Sequence, residues 1–244
     1  MQSARNRLSS SFEKYVIEKT MEFVKSRLIQ EPSGHDWWHT YRVYEIALEI
    51  GWTENANLFI IQLAALLHDV CDYKVVGESV GKEEIVGDWL RSLGIDEETI
   101  THISRIIAES QFKGAKVDSS VSSIEGKVLQ DADRIEAMGA IGIARTFAYG
   151  GYKGQIIHDQ ESLPKLHESF SEYKASKNTS INHFYEKLLL LKDMMNTTSG
   201  KVVAATRHEF MLNFLREFLR EWECTDVKEM MGQPNTDVSG LEEK

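Results

Sequence analysis

The residues of this chain best suited to chemistry are polar side chains on faces that ought to be buried. His39 lies among apolar positions, His68 and Asp69 follow the run Leu58–Leu67, and Asp131 and Asp133 stand between Val128-Leu129 and Ala137. An imidazole or carboxylate against core surface is costly unless it is paired or bound to a metal. One such histidine is ordinary core packing, but three such sites in one chain suggest a shared purpose. Two imidazoles with two carboxylates suit a borderline or hard divalent ion that keeps positions open for water and substrate. Structural zinc would call for thiolates, and Cys71 and Cys224 are far apart in the chain.

Positioning these groups falls to helices. Phe12 to Ile29 spaces Val16, Met21, Val24 and Leu28 helically, and Glu31-Pro32-Ser33-Gly34 breaks the pattern. A second helix starts after Asp36 as N-cap and runs to Ile50, with Gly51 as its stop. Its inner face holds His39, Val43, Ile46, Ala47 and Ile50. Asn57 to Val70 is apolar nearly all round and therefore buried. Gly81–Leu93 and Asp96–Glu109 are the next two helices, the latter with Ile100, Ile103, Ile106 and Ile107 inward, and Gly114–Ser123 is a polar loop. Glu125–Phe147 is helical, with an interruption or close packing at Gly139 and Gly142. Tyr149–Ser162, rich in glycine, reads as irregular, and Tyr185–Met195 and His208–Trp222 as amphipathic helices. No segment sustains period-2 alternation. The expected fold is all-α: a single compact helical bundle with additional C-terminal helices packed on it. Residues 1–11 are expected to be a flexible N-terminus, 12–222 the domain with its metal-site core at 30–150, and 223–244 a loose C-terminal tail.

A net charge of −10 disfavours nucleic acid as a partner, since phosphate backbones select basic faces. It does not exclude a small anionic substrate, because a metal ion reverses the field inside a pocket. No apolar run reaches the ~18–20 residues of a membrane helix, so no membrane association is expected. Two cysteines make no disulfide framework, and no apolar stretch follows Arg5 and Arg7 as in a secretory signal. The expected setting is therefore cytoplasmic, with a short organelle transit segment as the lesser alternative. The expected state is a monomer or homodimer.

The order His39, His68-Asp69, Asp133 resembles the signature of the HD-domain metal-dependent phosphohydrolases. Flanking words widen the likeness. They are Gly34-His35-Asp36-Trp37-Trp38-His39-Thr40-Tyr41-Arg42-Val43, Leu66-Leu67-His68-Asp69-Val70-Cys71-Asp72-Tyr73-Lys74, the stretch Gln130-Asp131-Ala132-Asp133-Arg134-Ile135-Glu136 continuing to Arg145, and Asn182-His183-Phe184-Tyr185-Glu186-Lys187-Leu188. These words are similar to those of a subfamily of bacterial HD hydrolases of the YpgQ and YedJ type, over roughly residues 12–222. A lone His-Asp pair carries no weight, since His35-Asp36 and His158-Asp159 are two more.

The resemblance implies an HD-domain bundle in which His39, His68, Asp69 and Asp133 hold the metal. It implies that Asp72 orients the attacking water or takes its proton, with Asp69 also in the catalytic group. Lys74 and Lys113 are candidate phosphate contacts. Arg42, Arg134 and Arg145 are candidates for substrate binding or for buttressing a ligand, and His35 and Asp131 for supporting places beside the ligands. Trp37 and Trp38 fit base stacking or, better, core packing. His102 is the one histidine between Asp69 and Asp133, so a single metal is expected rather than two. Ligand type alone does not separate Mn²⁺, Co²⁺, Ni²⁺, Mg²⁺ and Zn²⁺, of which Mn²⁺ is favoured.

Two function classes lead. The first is a metal-dependent phosphohydrolase acting on a nucleotide, with cleavage of a (d)NTP to the monophosphate and pyrophosphate as the specific expectation. A 5′-nucleotidase or other small phosphomonoesterase is the alternative at enzyme level. The second is a non-catalytic HD module that binds a nucleotide and regulates a partner. A helical scaffold with an incidental metal is the blandest reading.

Overall fold

The computed structural model describes residues 10–28, 36–70, 82–110, 120–165 and 178–231. Among them every regular element is helical. These are α1 (Ser11–Leu28), α2 (Trp37–Thr53), α3 (Leu58–Leu67), α4 (Lys82–Ser92), α5 (Glu97–Ser110), α6 (Ile124–Glu136), α7 (Gly139–Lys153), α8 (Ser180–Glu186), a 3-10 helix (Leu188–Met194), α9 (Thr198–Trp222) and α10 (Thr225–Met230). The all-α expectation holds.

α3 is the centre of the bundle. Its sequence Leu-Phe-Ile-Ile-Gln-Leu-Ala-Ala-Leu-Leu offers no polar stripe, and every residue from Ile60 to Leu67 is buried. Asn57 caps it, its side chain accepting from the amides of Phe59 and Ile60 at 3.1 and 3.3 Å. The one polar residue inside, Gln62, is satisfied: Tyr44 donates to its Oε1 at 2.9 Å and its Nε2 donates to the Leu58 carbonyl at 3.0 Å. Helices α2 and α6 pack on α3 and on each other, α5 covers α3 and α6, and α1 lies across α3. The inner face of α5 is the expected one, with Ile100, Ile103, Ile106 and Ile107 buried.

The C-terminal helices join the same body. α9 packs on α6, α7 and the 3-10 helix. Phe147, Phe184 and Phe214 form a cluster with ring centroids 5.9–6.2 Å apart, joining α7, α8 and α9.

Several boundaries differ from the expectation. Gly51 does not stop α2, which runs on to Thr53. A Cβ at Gly51 would stand 2.5 Å from Ile61 Cδ1, so this glycine serves the close approach of α2 to α3. The break between α6 and α7 falls where the sequence places it, and its cause is Gly139, whose φ is +72°. Tyr149–Lys153, expected to be irregular, continues α7 to a left-handed cap at Gly154. The segment expected as one α-helix over Tyr185–Met195 is instead the end of α8 followed by a 3-10 helix, with Lys187 at φ −141°, ψ −62° between them. α9 begins at Thr198 rather than His208. Residues 225–230, expected in the loose tail, form the short α10. The break at Glu31–Gly34, most of the Gly114–Ser123 loop and most of the two expected termini lie outside the described residues. No helix among the described residues is long and apolar enough to cross a membrane.

Candidate functional site

Three elements deliver the expected ligands to one place. His39 sits in the first turn of α2, where the Asp36 side chain caps the helix by accepting from the His39 amide at 2.8 Å. His68 and Asp69 emerge from the C-terminal end of α3. Asp133 lies in the last turn of α6. His39 Nε2 is 3.1 Å from Asp69 Oδ2 and 3.6 Å from Asp133 Oδ1, and His68 Nε2 is 3.4 Å from Asp69 Oδ2. His39, His68 and Asp69 form a buried group whose ligating atoms lie within 4.8 Å of one another. Asp133 flanks it on the more open side, its side chain 35% exposed.

The hydrogen bonds on the far side of each ring decide which nitrogen faces this point. His68 Nδ1 lies 2.7 Å from the Ala65 carbonyl, in the last turn of α3, and a carbonyl only accepts, so Nδ1 is the donor. His39 Nδ1 lies 2.8 Å from Glu136 Oε2 and donates to it. Each ring thus presents Nε2 toward Asp69. His68 Nε2 is cut off from water and meets no hydrogen-bond partner among the described residues, only the nearby Asp69 carboxylate. A buried imidazole nitrogen beside a second imidazole and two carboxylates is a donor set that fits a divalent ion.

Glu136 is a member of this site that the sequence does not single out. It is fully buried and accepts from two neighbouring helices at once. Arg42 of α2 donates through Nε and Nη2 to Oε1 at 2.9 and 2.7 Å, while His39 of α2 and Arg145 of α7 donate to Oε2. Burial pushes its pKa up, but the bond from His39 and the charges of His39 and Arg145, with Arg42, hold it down at about 2. Burial and the Arg145 charge push the His39 pKa down, yet Asp69 and Glu136 outweigh them and raise it to about 9. A cation is therefore welcome at this point, whether a proton or a metal.

Arg42 and Arg145, expected as substrate contacts or buttresses, both hold Glu136. Arg134 is buried and donates to the Met194 carbonyl, tying α6 to the 3-10 helix; burial lowers its pKa against the pull of Asp131 and Asp133. Asp131, expected as a support for the ligands, accepts instead from Asn196 and Thr197. Their backbone and side-chain donors approach at 2.7–2.8 Å, so Asp131 anchors the start of α9. Trp37 is buried, its ring centroid 5.7 Å from that of Tyr41, as core packing requires, whereas Trp38 is exposed. His102 lies 3.6 Å from Glu125 at the start of α6. Glu125 and Asp133 are eight residues apart, or about 12 Å along a helix, so His102 stands well away from the ligand group. His35, Asp72, Lys74 and Lys113 lie outside the described residues.

Lys187 also belongs to this neighbourhood. Burial lowers its pKa to about 8, with Asp133 opposing and Arg145 and Arg134 adding to the shift. Its place at the break between α8 and the 3-10 helix carries no local sequence signal.

Comparison with known proteins converges on one family. Residues 37–138, which span all four candidate ligands, match the model of the HD domain. The chain is 38% identical over 205 residues to the YpgQ protein of Bacillus subtilis (strain 168), covering 84% of this chain and 92% of that protein. The crystal structure of an HD-superfamily hydrolase from Bacillus thuringiensis is similar with a TM-score of 0.69 at 45% identity, over 86% of this chain and 98% of that one. The crystal structure of Bacillus subtilis YpgQ in complex with ADP is similar with a TM-score of 0.68 at 35% identity, over 86% and 96% of the two chains.

Proposed function

Because the chain belongs to the HD-domain family of metal-dependent phosphohydrolases, we propose that it hydrolyses a nucleotide at the site of His39, His68, Asp69 and Asp133. The specific reading is cleavage of a (d)NTP to the monophosphate and pyrophosphate. The observation that carries the site is the pair of imidazoles whose Nδ1 atoms are both engaged and whose Nε2 atoms converge on Asp69. The ADP bound to the Bacillus subtilis relative supports a nucleotide as the ligand class.

A divalent ion held there, with Mn²⁺ favoured, would supply Lewis acidity toward a water and a phosphoryl oxygen. The protein's own groups divide the remaining work. Asp69 holds the cation between the two imidazoles, whose rings are held through Nδ1 by Glu136 and the Ala65 carbonyl. Asp133, on the open side, is the ligand nearest to solvent and to an entering phosphate. Arg42 and Arg145, 34% and 22% exposed, offer positive charge at the rim, and Lys187 a further one beside Asp133. Asp72 takes or orients the proton of the attacking water, and Lys74 and Lys113 contact the phosphates.

The test is a nucleotide panel. Purified protein with Mn²⁺ is expected to release pyrophosphate or phosphate from at least one nucleotide, and Asp69→Ala to reduce turnover by at least ~10³-fold. A metal-loaded protein that binds a nucleotide yet turns over none would replace the enzyme by a nucleotide-binding module.

A further inference from the structure

We propose that Glu136 is the positioning residue of the metal centre: by accepting from His39 Nδ1 it fixes the tautomer and angle of that ring, so that Nε2 is the ligating atom. This inference rests on the metal reading of the site, but not on the identity of the substrate.

The geometry makes the role specific. A carboxylate has about four lone-pair positions, and Glu136 fills them with donors from two other helices: two from Arg42, one from His39 and one from Arg145. A purely structural purpose explains this poorly, because burying a carboxylate with its cations gains little over apolar packing of equal volume. The cluster has one feature that apolar packing cannot supply, a fixed acceptor opposite the ligating nitrogen of His39. Carboxylates in that relation to a metal-bound imidazole orient the ring and raise its basicity, and their loss weakens metal binding by about 10–100-fold. The two arginines in turn hold the carboxylate. Each donates to a different oxygen, which leaves Glu136 little freedom to swing away from His39.

His68 has its own acceptor, the Ala65 carbonyl, so Glu136 serves one ring only. Removing its charge is therefore expected to change His39 and leave His68 as it is.

The full-length protein and its Glu136→Gln variant are compared, with Mn²⁺ affinity read from free Mn²⁺ by electron paramagnetic resonance and no nucleotide present. The variant is expected to bind Mn²⁺ about 10–100-fold more weakly. With Zn²⁺ as a diamagnetic probe, histidine-selective ¹H–¹⁵N spectra are expected to show a protected Nδ1 proton on His39 in the parent. Its faster exchange or loss is expected in the variant, with the His68 signals unchanged. A structural role alone would not separate the two rings in this way. Should Glu136→Gln fail to fold, Glu136→Asp, which withdraws the carboxylate by one methylene, is expected to give a smaller loss in the same direction. Unchanged Mn²⁺ affinity and an unchanged His39 signal in a folded variant overturn the inference. A parent protein that binds neither ion overturns the metal reading together with it, whereas failure of the nucleotide panel touches neither measurement.

Discussion

His39 illustrates how one residue's surroundings set its chemistry. It is held between two carboxylates, Asp69 on Nε2 and Glu136 on Nδ1, and its pKa is raised from 6.5 to about 9. A raised pKa means that the folded chain keeps a proton which the unfolded chain gives up near 6.5. The stability from that proton is complete below about pH 6.5 and is lost as the pH rises through about 9. Protein stripped of metal with a chelator is therefore expected to lose stability across this window in denaturant titrations. A metal competes for the same nitrogen, so its affinity is expected to rise by up to about tenfold per pH unit over the same range. Affinity that is flat across that window would show that His39 Nε2 is not a ligand. Much of this site is legible in the sequence: His39, His68 and Asp69 stand out as polar residues where only apolar ones belong. Glu136 does not, because Arg42 and His39 lie 94 and 97 residues away and meet it only after the helices have packed.

Among the helices, Asp131 shows how elements are joined beside the site rather than within it. It accepts from the backbone and side chains of Asn196 and Thr197, and the Thr197 hydroxyl in turn caps α9 at the Gly200 amide, 2.9 Å away. Asp131→Ala strands the buried amide and hydroxyl of Thr197 and removes an acceptor from the half-buried Asn196, and is expected to cost about 3 kcal/mol or more in chemical denaturation. Mn²⁺ affinity measured below the unfolding transition is expected to stay within about threefold of the parent, well short of the loss that follows when a ligand's own support is removed. A large loss of affinity with little loss of stability would instead make Asp131 a partner of the ligands. This anchoring also explains why α9 starts well before the amphipathic pattern does. Val202 and Val203 are exposed, so the first turns carry no clean apolar stripe, and the helix is started by the Thr197 cap and its tertiary partner. Gly51 follows the same logic. A glycine after an amphipathic run reads as a stop, and only the neighbouring Ile61 reveals it as a contact. The elements legible in advance, α3 and α5, are those whose burial is written in continuous or strictly periodic apolar residues.

Across the bundle, the candidate metal centre is a cross-link. Its ligands come from the start of α2, the end of α3 and the end of α6, the three helices that build the middle of the molecule. They are spread from His39 to Asp133, so an unfolded chain cannot gather them, and a metal that binds only the native state stabilises it by mass action. At a free concentration one hundred times the dissociation constant this amounts to about 2.7 kcal/mol. For a chain of this size each kcal/mol moves the melting temperature by about 2–4 °C, so saturating Mn²⁺ is expected to raise it by about 5–11 °C, and excess chelator to reverse the rise. Asp69→Ala is expected to lose the shift, since it removes the carboxylate on which both Nε2 atoms converge. The carboxylates of the site set the sense of this coupling. A phosphate approaching Asp69 and Asp133 alone meets repulsion, and with a divalent cation between them it meets attraction. Nucleotide is therefore expected to add a further thermal shift only to the metal-loaded protein. An equal nucleotide shift in the presence of chelator would place the nucleotide away from these four residues.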